Sequence, residues 1–200
     1  MDISCYYEEA DFTEAEFSED SWEGKTFNRC RFRSADFSGM TLIRCRFEQC
    51  DFTAASFNGV TVQESAFLNC RFLYANCFGT FFDGCKMTGT TFEESNCTAL
   101  RIQGGDWSYT LIPELELCRT VLEDIRFEQA DLHGSKFDKS VLRRCNFNGA
   151  NLTGASFREA DLRGSSITGT NLLEMDLKGT KIDLEQAVLL AGALGAVYEP

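Results

Sequence analysis

The chain has 200 residues, of which 44% are apolar, and its 31 acidic and 19 basic residues give a net charge of −12. This length suits a single domain or a short solenoid. The negative charge argues against binding nucleic acid through its phosphates, which requires clustered lysine and arginine. No stretch of 18 unbroken apolar residues occurs, so we also expect no membrane span.

The first five residues, Met1 to Cys5, contain neither a basic n-region nor an apolar h-region. A secretory signal is therefore not predicted at this point of the chain. We expect a cytoplasmic protein, in which thiols stay reduced.

Every fifth residue from Phe12 to Ile182 is apolar, a series of thirty-five consecutive positions. Neither an α-helix nor a flat strand places every fifth residue on one side. Each unit of five must therefore combine a short extended piece with a turn. Two residues before each apolar position the chain favours small side chains such as Ala35 and Cys50, and two residues after it glycine is frequent, as at Gly39. One large and one small inward residue per unit fill a narrow interior.

Units such as Ala-Asp-Phe-Ser-Gly (35–39), Ala-Asn-Leu-Thr-Gly (150–154) and Ala-Asp-Leu-Arg-Gly (160–164) resemble the pentapeptide-repeat family. The resemblance implies an all-β solenoid, namely a right-handed quadrilateral β-helix with one pentapeptide on each of its four faces, and so four pentapeptides per coil. The repeat region then makes about nine coils. We expect this β-helix over residues 1–182 and a separate C-terminal helix and short strand over residues 183–200.

A coil of four pentapeptides places corresponding residues of successive coils side by side on neighbouring strands, roughly 4.8 Å apart. Asp11, Arg31, Asp51 and Arg71 then form a column of alternating charge, which is favourable across strands. The same rule predicts one stack of aromatic rings: Phe12, Phe32, Phe52, Phe72 and Phe92.

The cysteines and the single histidine do not indicate a catalytic or metal site. Seven of the ten cysteines occupy the small inward position of the repeat: Cys5, Cys30, Cys45, Cys50, Cys70, Cys85 and Cys145. No C-x-x-C pair is present for zinc, Cys118 is expected at the surface, and His133 points outward without a nucleophile motif nearby. We predict no catalytic residues, no metal, no cofactor and no enzymatic activity.

The period of five stops after Ile182, and helix signals follow. Asp183 is a suitable N-cap, with Gln186 completing a capping box, and Gly195 suits the C-terminal end. We therefore expect a helix over 184–194 and a short strand over 196–198.

The apolar surface of this tail is broader than covering one coil requires. It is either a simple cap or an interface that joins two copies end to end, and we favour the homodimer because surplus apolar surface seeks a partner. The tail also resembles the ending of the quinolone-resistance (Qnr) pentapeptide-repeat proteins, which dimerise through it. The predicted interface consists of Leu184, Val188, Leu190, Ala191, Leu194, Val197 and Tyr198.

The resemblance to the Qnr proteins implies a DNA mimic that binds DNA gyrase or topoisomerase IV and counters quinolones or other gyrase poisons. Residues 83–131 contain ten acidic and four basic residues, a net charge of −6. Over roughly 12 Å this is one charge per about 2 Å, close to the roughly 1.7 Å of duplex DNA. The candidate topoisomerase-binding residues are Asp83, Glu93, Glu94, Glu114, Glu116, Glu123 and Asp124.

Two alternatives remain open. The repeat alone does not specify a partner, so the chain could be a scaffold or interaction protein with no topoisomerase role. In addition, many Qnr relatives carry loops that project from the β-helix and matter for protection, whereas the unbroken period predicts none here. Binding or inhibition of gyrase without rescue from quinolones is therefore the second alternative.

Overall fold

The computed structural model describes residues 5–17 and 20–197. The chain forms two compact units, Met1–Leu111 and Ile112–Pro200.

The first unit is built from three-residue strands separated by tight turns. Its strands are β1 (Tyr6–Glu8), β2 (Ser21–Glu23), β3 (Thr26–Asn28), β4 (Thr41–Ile43), β5 (Arg46–Glu48), β6 (Thr61–Gln63), β7 (Ala66–Leu68), β8 (Phe81–Asp83), β9 (Arg101–Gln103) and the two-residue β10 (Gly105–Asp106). Two parallel sheets result, with the strand orders β1-β3-β5-β7 and β2-β4-β6-β8-β9.

All of these pairs have the same register, in which each residue lies opposite the residue four pentapeptides later in the chain. Phe27 lies opposite Phe47 in one sheet, and Trp22 lies opposite Leu42 in the other. The two remaining faces are formed by single parallel bridges at the same spacing, such as Glu16 with Asp36. The bridges also join Asp11, Arg31, Asp51 and Arg71 in sequence, which confirms the predicted column of alternating charge.

The second unit contains β11 (Val121–Glu123), β12 (Ile125–Arg126) and β13 (Val141–Arg143), followed by a 3-10 helix, η1 (Leu172–Glu174), and helix α1 (Leu184–Ala193). Strands β11 and β13 pair in parallel with Val121 opposite Val141. Bridges continue the spacing of four pentapeptides, for example from Asp161 to Lys181. The predicted all-β solenoid, a quadrilateral β-helix, is confirmed.

The described residues form about seven turns rather than the nine predicted. The predicted number requires every pentapeptide to form a bridged face, and not all of them do. At the C-terminal end, for example, Leu172–Glu174 adopts a 3-10 helix instead of a bridged face.

The residues of the five-residue series form the core. In the first unit the predicted aromatic stack is present, with ring centroids 4.9 Å apart for Phe12 and Phe32, 5.0 Å for Phe32 and Phe52, and 4.7 Å for Phe52 and Phe72. Phe72 and Phe92 continue it at 4.8 Å. Such offset stacking adds to the stabilisation that ring burial provides.

The small inward residues also satisfy backbone groups. Thr80 Oγ1 donates a hydrogen bond to the Phe57 carbonyl at 2.7 Å, and the Cys50 thiol lies 3.5 Å from the Phe27 carbonyl oxygen. Cys5 is an exception to the predicted inward column, because it is exposed. It stands at the start of the described chain, where no described turn lies before it.

Each turn ends at a corner where the backbone has positive φ. Glycine provides many of these corners, as expected, but twenty residues of other types in the described chain also adopt positive φ. Among them are Tyr74 (φ 56°) and Tyr109 (φ 58°), both in the first unit. Positive φ in a bulky residue is sterically unfavourable.

Helix α1 begins as predicted. The Asp183 carboxylate accepts a hydrogen bond from the Gln186 backbone N–H, and the Gln186 side chain accepts one from the Asp183 N–H. This reciprocal arrangement is the predicted capping box. Gly195 follows the helix with φ 85°. The short strand is not formed at residues 196 and 197, and Tyr198 lies outside the described residues.

Candidate protein-interaction surfaces

In the first unit, three of the predicted acidic residues lie on the surface without a basic partner. Asp83 is half-buried in β8, and its neighbours on the adjacent strands are Gln63 and Gln103. Glu93 and Glu94 are exposed. No salt bridge involves these three carboxylates within residues 5–17 and 20–111. This part of the predicted acidic surface therefore keeps its negative charge.

In the second unit, three of the four predicted acidic residues form ion pairs. Glu116 accepts a hydrogen bond from Lys136 Nζ at 2.7 Å, and Glu123 accepts one from Arg143 at 2.8 Å. Both carboxylate oxygens of Asp124 accept bonds from Arg144, each at 2.7 Å. The hydrogen bonds from Arg144 lower the pKa of Asp124. Glu114 is exposed at a corner.

These pairs were missed by the sequence analysis, although the signal was present. Each base stands one full coil after its acid, the same spacing that predicted the pairing of Asp11 with Arg31. Lys136, Arg143 and Arg144 lie outside the segment 83–131 in sequence but pair with its C-terminal part in the fold. The local charge of Glu116, Glu123 and Asp124 is therefore neutralised, and the charge density of that segment is lower than its composition indicates.

In the N-terminal segment, arginine side chains also form ion pairs with acidic residues. Arg29 lies 2.5 Å from Glu8 and 3.3 Å from Glu9, and Arg31 lies 3.4 Å from Asp11. Even so, residues 1–111 contain 17 acidic and 9 basic residues, a net charge of −8, whereas residues 112–200 contain 14 and 10, a net charge of −4. Most of the negative charge belongs to the first unit.

The predicted dimer surface lies on helix α1 and the residues that follow it. Leu184 and Leu194 are each 74% exposed, and Val197 is 84% exposed. Val188, Leu190 and Ala191 are half-buried on the helix. In contrast, Gln186 is buried, and its Nε2 donates to the carbonyls of Leu162 and Ser165 at 2.7 Å each. Helix α1 is thus anchored through a polar side chain while its large aliphatic side chains stay accessible.

Seven of the ten cysteines are buried thiols. Burial raises the pKa of the Cys85 thiol to about 12 and that of Cys145 to about 11. Thiols with such raised pKa values are poor nucleophiles at neutral pH. Cys118 is exposed, as predicted.

His133 is exposed, as predicted, and its Nδ1 lies 2.8 Å from an oxygen of Asp131. Within the described part of the chain, no group of three or more His, Cys, Asp or Glu side chains is placed to hold a metal ion. Nor does any described helix have the length and apolar character needed to cross a membrane.

Asp161 in the second unit has a strongly lowered pKa. Arg163 donates from Nε and Nη2 to its two oxygens at 2.8 and 2.7 Å, and these bonds lower the pKa of Asp161 from 3.8 to about 2. Because the pKa of Asp161 is lower in the folded state than in the unfolded state, the Asp161–Arg163 pair stabilises the folded protein. This stabilisation is fully present above about pH 4 and is lost as the pH falls from about 4 to 2.

We expect Arg163→Ala to return the pKa of Asp161 toward 3.8, which NMR titration of the carboxyl carbon would measure. The Arg144→Ala variant is the matched control, because it removes a bidentate arginine from Asp124 instead. An Asp161 pKa that is unchanged in Arg163→Ala would show that the arginine is not the cause.

Comparisons with known proteins agree with this architecture. The sequence model of the family described as Pentapeptide repeats matches residues 10–49, 30–67, 50–89, 116–149 and 145–183, in eight copies. No curated protein matches by sequence.

Among solved structures, full-length QnrB1, described as a plasmid-mediated fluoroquinolone resistance protein, matches with a TM-score of 0.72 at 22% identity, covering 95% of this chain and 97% of QnrB1. A trypsin-treated variant of QnrB1 matches with a TM-score of 0.60 at 22% identity, covering 96% and 99%. HetL, a pentapeptide-repeat protein involved in heterocyst differentiation regulation in the cyanobacterium Nostoc, matches with a TM-score of 0.44 at 16% identity, covering 87% of each chain. The family match spans well over half of the residues, and the chain belongs to the pentapeptide-repeat family.

Proposed function

We propose that this protein is a non-enzymatic, cytoplasmic DNA mimic that binds a bacterial type II topoisomerase, DNA gyrase or topoisomerase IV, and counters quinolones or other gyrase poisons. The observation that carries the proposal is the match to QnrB1 over nearly the full length of both chains. QnrB1 is described as a plasmid-mediated fluoroquinolone resistance protein.

The negative charge of the first unit also supports the proposed binding to a topoisomerase. A topoisomerase binds duplex DNA through a basic surface, because DNA carries about one negative charge per 1.7 Å. The first unit has a net charge of −8, and Asp83, Glu93 and Glu94 have no ion-pair partner in its described residues. A folded surface that holds unneutralised carboxylates at fixed positions is suited to occupy a site made for phosphates.

Supercoiling of relaxed plasmid by purified DNA gyrase tests the proposal. We expect the protein to inhibit supercoiling, or to restore it in the presence of a quinolone, at micromolar concentration. Inhibition without restoration would show that this chain binds gyrase but does not protect it. If neither effect appears with gyrase or with topoisomerase IV, the proposed function is wrong and a scaffold role is favoured.

We further propose that the protein is a homodimer formed through helix α1. Leu184, Leu194 and Val197 are large apolar side chains that the described residues leave exposed near the C-terminal end. Large apolar side chains left exposed along one short segment favour a protein interface there. The anchoring of Gln186 against the β-helix would hold this surface in a fixed position.

Replacing Leu194 with aspartate should convert the dimer to a monomer, because the charge would have to be buried in an apolar interface. Analytical ultracentrifugation at several concentrations measures the change. Val121→Asp is the matched control, because Val121 is 61% exposed on β11 of the same unit. A Leu194→Asp variant that sediments like the unaltered protein would contradict the dimer proposal.

A further inference from the structure

Two strained tyrosines lie on the surface of the first unit. Tyr74 is 62% exposed and Tyr109 is 61% exposed, and both adopt positive φ at corners of the β-helix. Each follows a residue of the five-residue series by two positions, where glycine is frequent and would adopt this conformation without strain. The chain therefore bears both a conformational cost and the exposure of two large rings, without burial of either ring in return.

These tyrosines border one face of the first unit. Tyr74 N–H donates to the Glu93 carbonyl at 3.1 Å, which places Glu94 one turn beyond Tyr74 at the same corner. At the other corner that bounds this face, Gly89 N–H donates to the Ser108 carbonyl, so that Tyr109 lies one turn beyond Gly89.

The strip between these two corners includes Thr91, which is bridged to Leu111 on the next turn. Carboxylates, apolar side chains and the two tyrosines therefore lie on the same face of the unit or at its two corners. We call the surface formed by the following residues the tyrosine–glutamate face: Leu73, Tyr74, Glu93, Glu94, Tyr109 and Leu111.

The outward residues of this face change from charged to uncharged along the unit. Its column of outward residues runs from Asp11 to Arg71 with alternating charge and then continues with Thr91 and Leu111. Leu111 is half-buried, as is Leu73 beside the column, whereas the two glutamates of the face are exposed. Arg71 is also exposed here, but no ion pair joins it to either glutamate in the described residues of the unit. The regular charge pairing seen earlier in the unit is thus replaced by apolar side chains and two unpaired carboxylates.

We propose that the tyrosine–glutamate face is a docking surface for a protein partner that presents arginine or lysine side chains. Tyrosine supplies a large contact area that loses little entropy on binding. A guanidinium can stack on a tyrosine ring while it pairs with a neighbouring carboxylate. Positive φ is common at the corners of this β-helix, so the exposure of two large rings, and not their backbone conformation, distinguishes these positions.

This inference rests on the proposed topoisomerase role, in which the basic DNA-binding surface of the enzyme is the partner. It adds that tyrosines contribute to the contact as well as carboxylates. A purely electrostatic mimic would lose nearly all affinity in high salt, whereas a face that also buries two aromatic rings should retain part of it.

The test combines binding and stability. In the Tyr74→Gly/Tyr109→Gly variant the midpoint of thermal unfolding should equal or exceed that of the unaltered protein, because glycine relieves the strain. Its Kd for purified DNA gyrase, measured by biolayer interferometry, should rise about tenfold or more, as for interface aromatics in general. Glu93→Gln/Glu94→Gln should also raise the Kd and weaken its dependence on salt.

Two controls lie elsewhere on the first unit. Gln49→Gly also introduces glycine at a positive-φ corner, several turns before Tyr109. Glu14→Gln/Glu16→Gln removes two exposed carboxylates that have no salt bridge within the described residues. Both should bind gyrase within about twofold of the unaltered protein.

If the double tyrosine variant binds equally well, the assignment of the face is wrong while the proposed function stands. If the unaltered protein does not bind gyrase, the proposed function fails and the assignment fails with it.

Discussion

Replacing Gly105 with alanine should lower the free energy of unfolding by about 3 kcal/mol or more. Gly105 has a φ of 96°, and a Cβ added there would lie 2.2 Å from the Cys85 carbonyl oxygen and 2.9 Å from its nitrogen. Both atoms belong to the backbone of the preceding turn, so a side-chain rotation cannot relieve the overlap. For a chain of this length the loss corresponds to roughly 10 °C in the midpoint of thermal unfolding, which circular dichroism would measure.

Gly104→Ala is the control that separates this steric overlap from backbone strain. Gly104 has a φ of 60°, and an added Cβ would meet no atom within 4 Å. Its replacement should cost only about 1 kcal/mol, the usual penalty for a side chain in the left-handed region. Equal losses in the two variants would mean that the close approach to Cys85 has no energetic consequence.

The contrast between Gly104 and Gly105 also shows where the repeat pattern stops being informative. Gly104 stands two residues after Ile102 of the five-residue series, where glycine is expected. Gly105 stands at the small inward position, which alanine or cysteine usually occupies. The sequence shows that the residue there is small, but only the structure shows that β10 runs so close to the backbone of Cys85 that no side chain fits.

The fold itself could be predicted from sequence because one local rule, an apolar residue every five positions, determines both the turns and the register between coils. Phe32 and Phe52 stack as that rule requires. The surface was less predictable, since charge was assessed along the chain and not across turns. Asp124 and Arg144 are a full coil apart in sequence yet form a bidentate pair, so the predicted acidic surface of the second unit is largely neutralised.

The tyrosine–glutamate face illustrates a second limit. The rule identifies Tyr74 and Tyr109 as corner residues, but it does not show that corners of this type have positive φ, and so the strain was not visible. Conversely, the capping box of Asp183 and Gln186 is a local signal and was predicted correctly. Interactions that depend on residues distant in sequence, such as those of the Gln186 side chain with the preceding coil, required the structure.

Replacing Gln186 with alanine should detach helix α1 from the second unit. The Gln186 amide donates to the carbonyls of Leu162 and Ser165 at 2.7 Å each and accepts from the Asp183 N–H at 3.1 Å. Its removal leaves two carbonyl groups without these donors, at a cost of about 2–4 kcal/mol in total. Because α1 begins after Lys181, the last bridged residue of the β-helix, the loss should appear as local opening and not as global unfolding.

Hydrogen exchange of the α1 amides measures this opening, and Glu185→Ala is the control, because Glu185 is an exposed neighbour in the same helical turn. We expect Gln186→Ala to reduce amide protection in α1 by at least about tenfold, while protection in β11 and β13 stays unchanged. Leu184 is the first residue of α1 and Leu194 directly follows the helix, so dimer formation should weaken when α1 opens. Loss of helix protection with an unchanged dimer would show that the two copies associate elsewhere, whereas loss of both would connect one buried glutamine to the assembly of the protein.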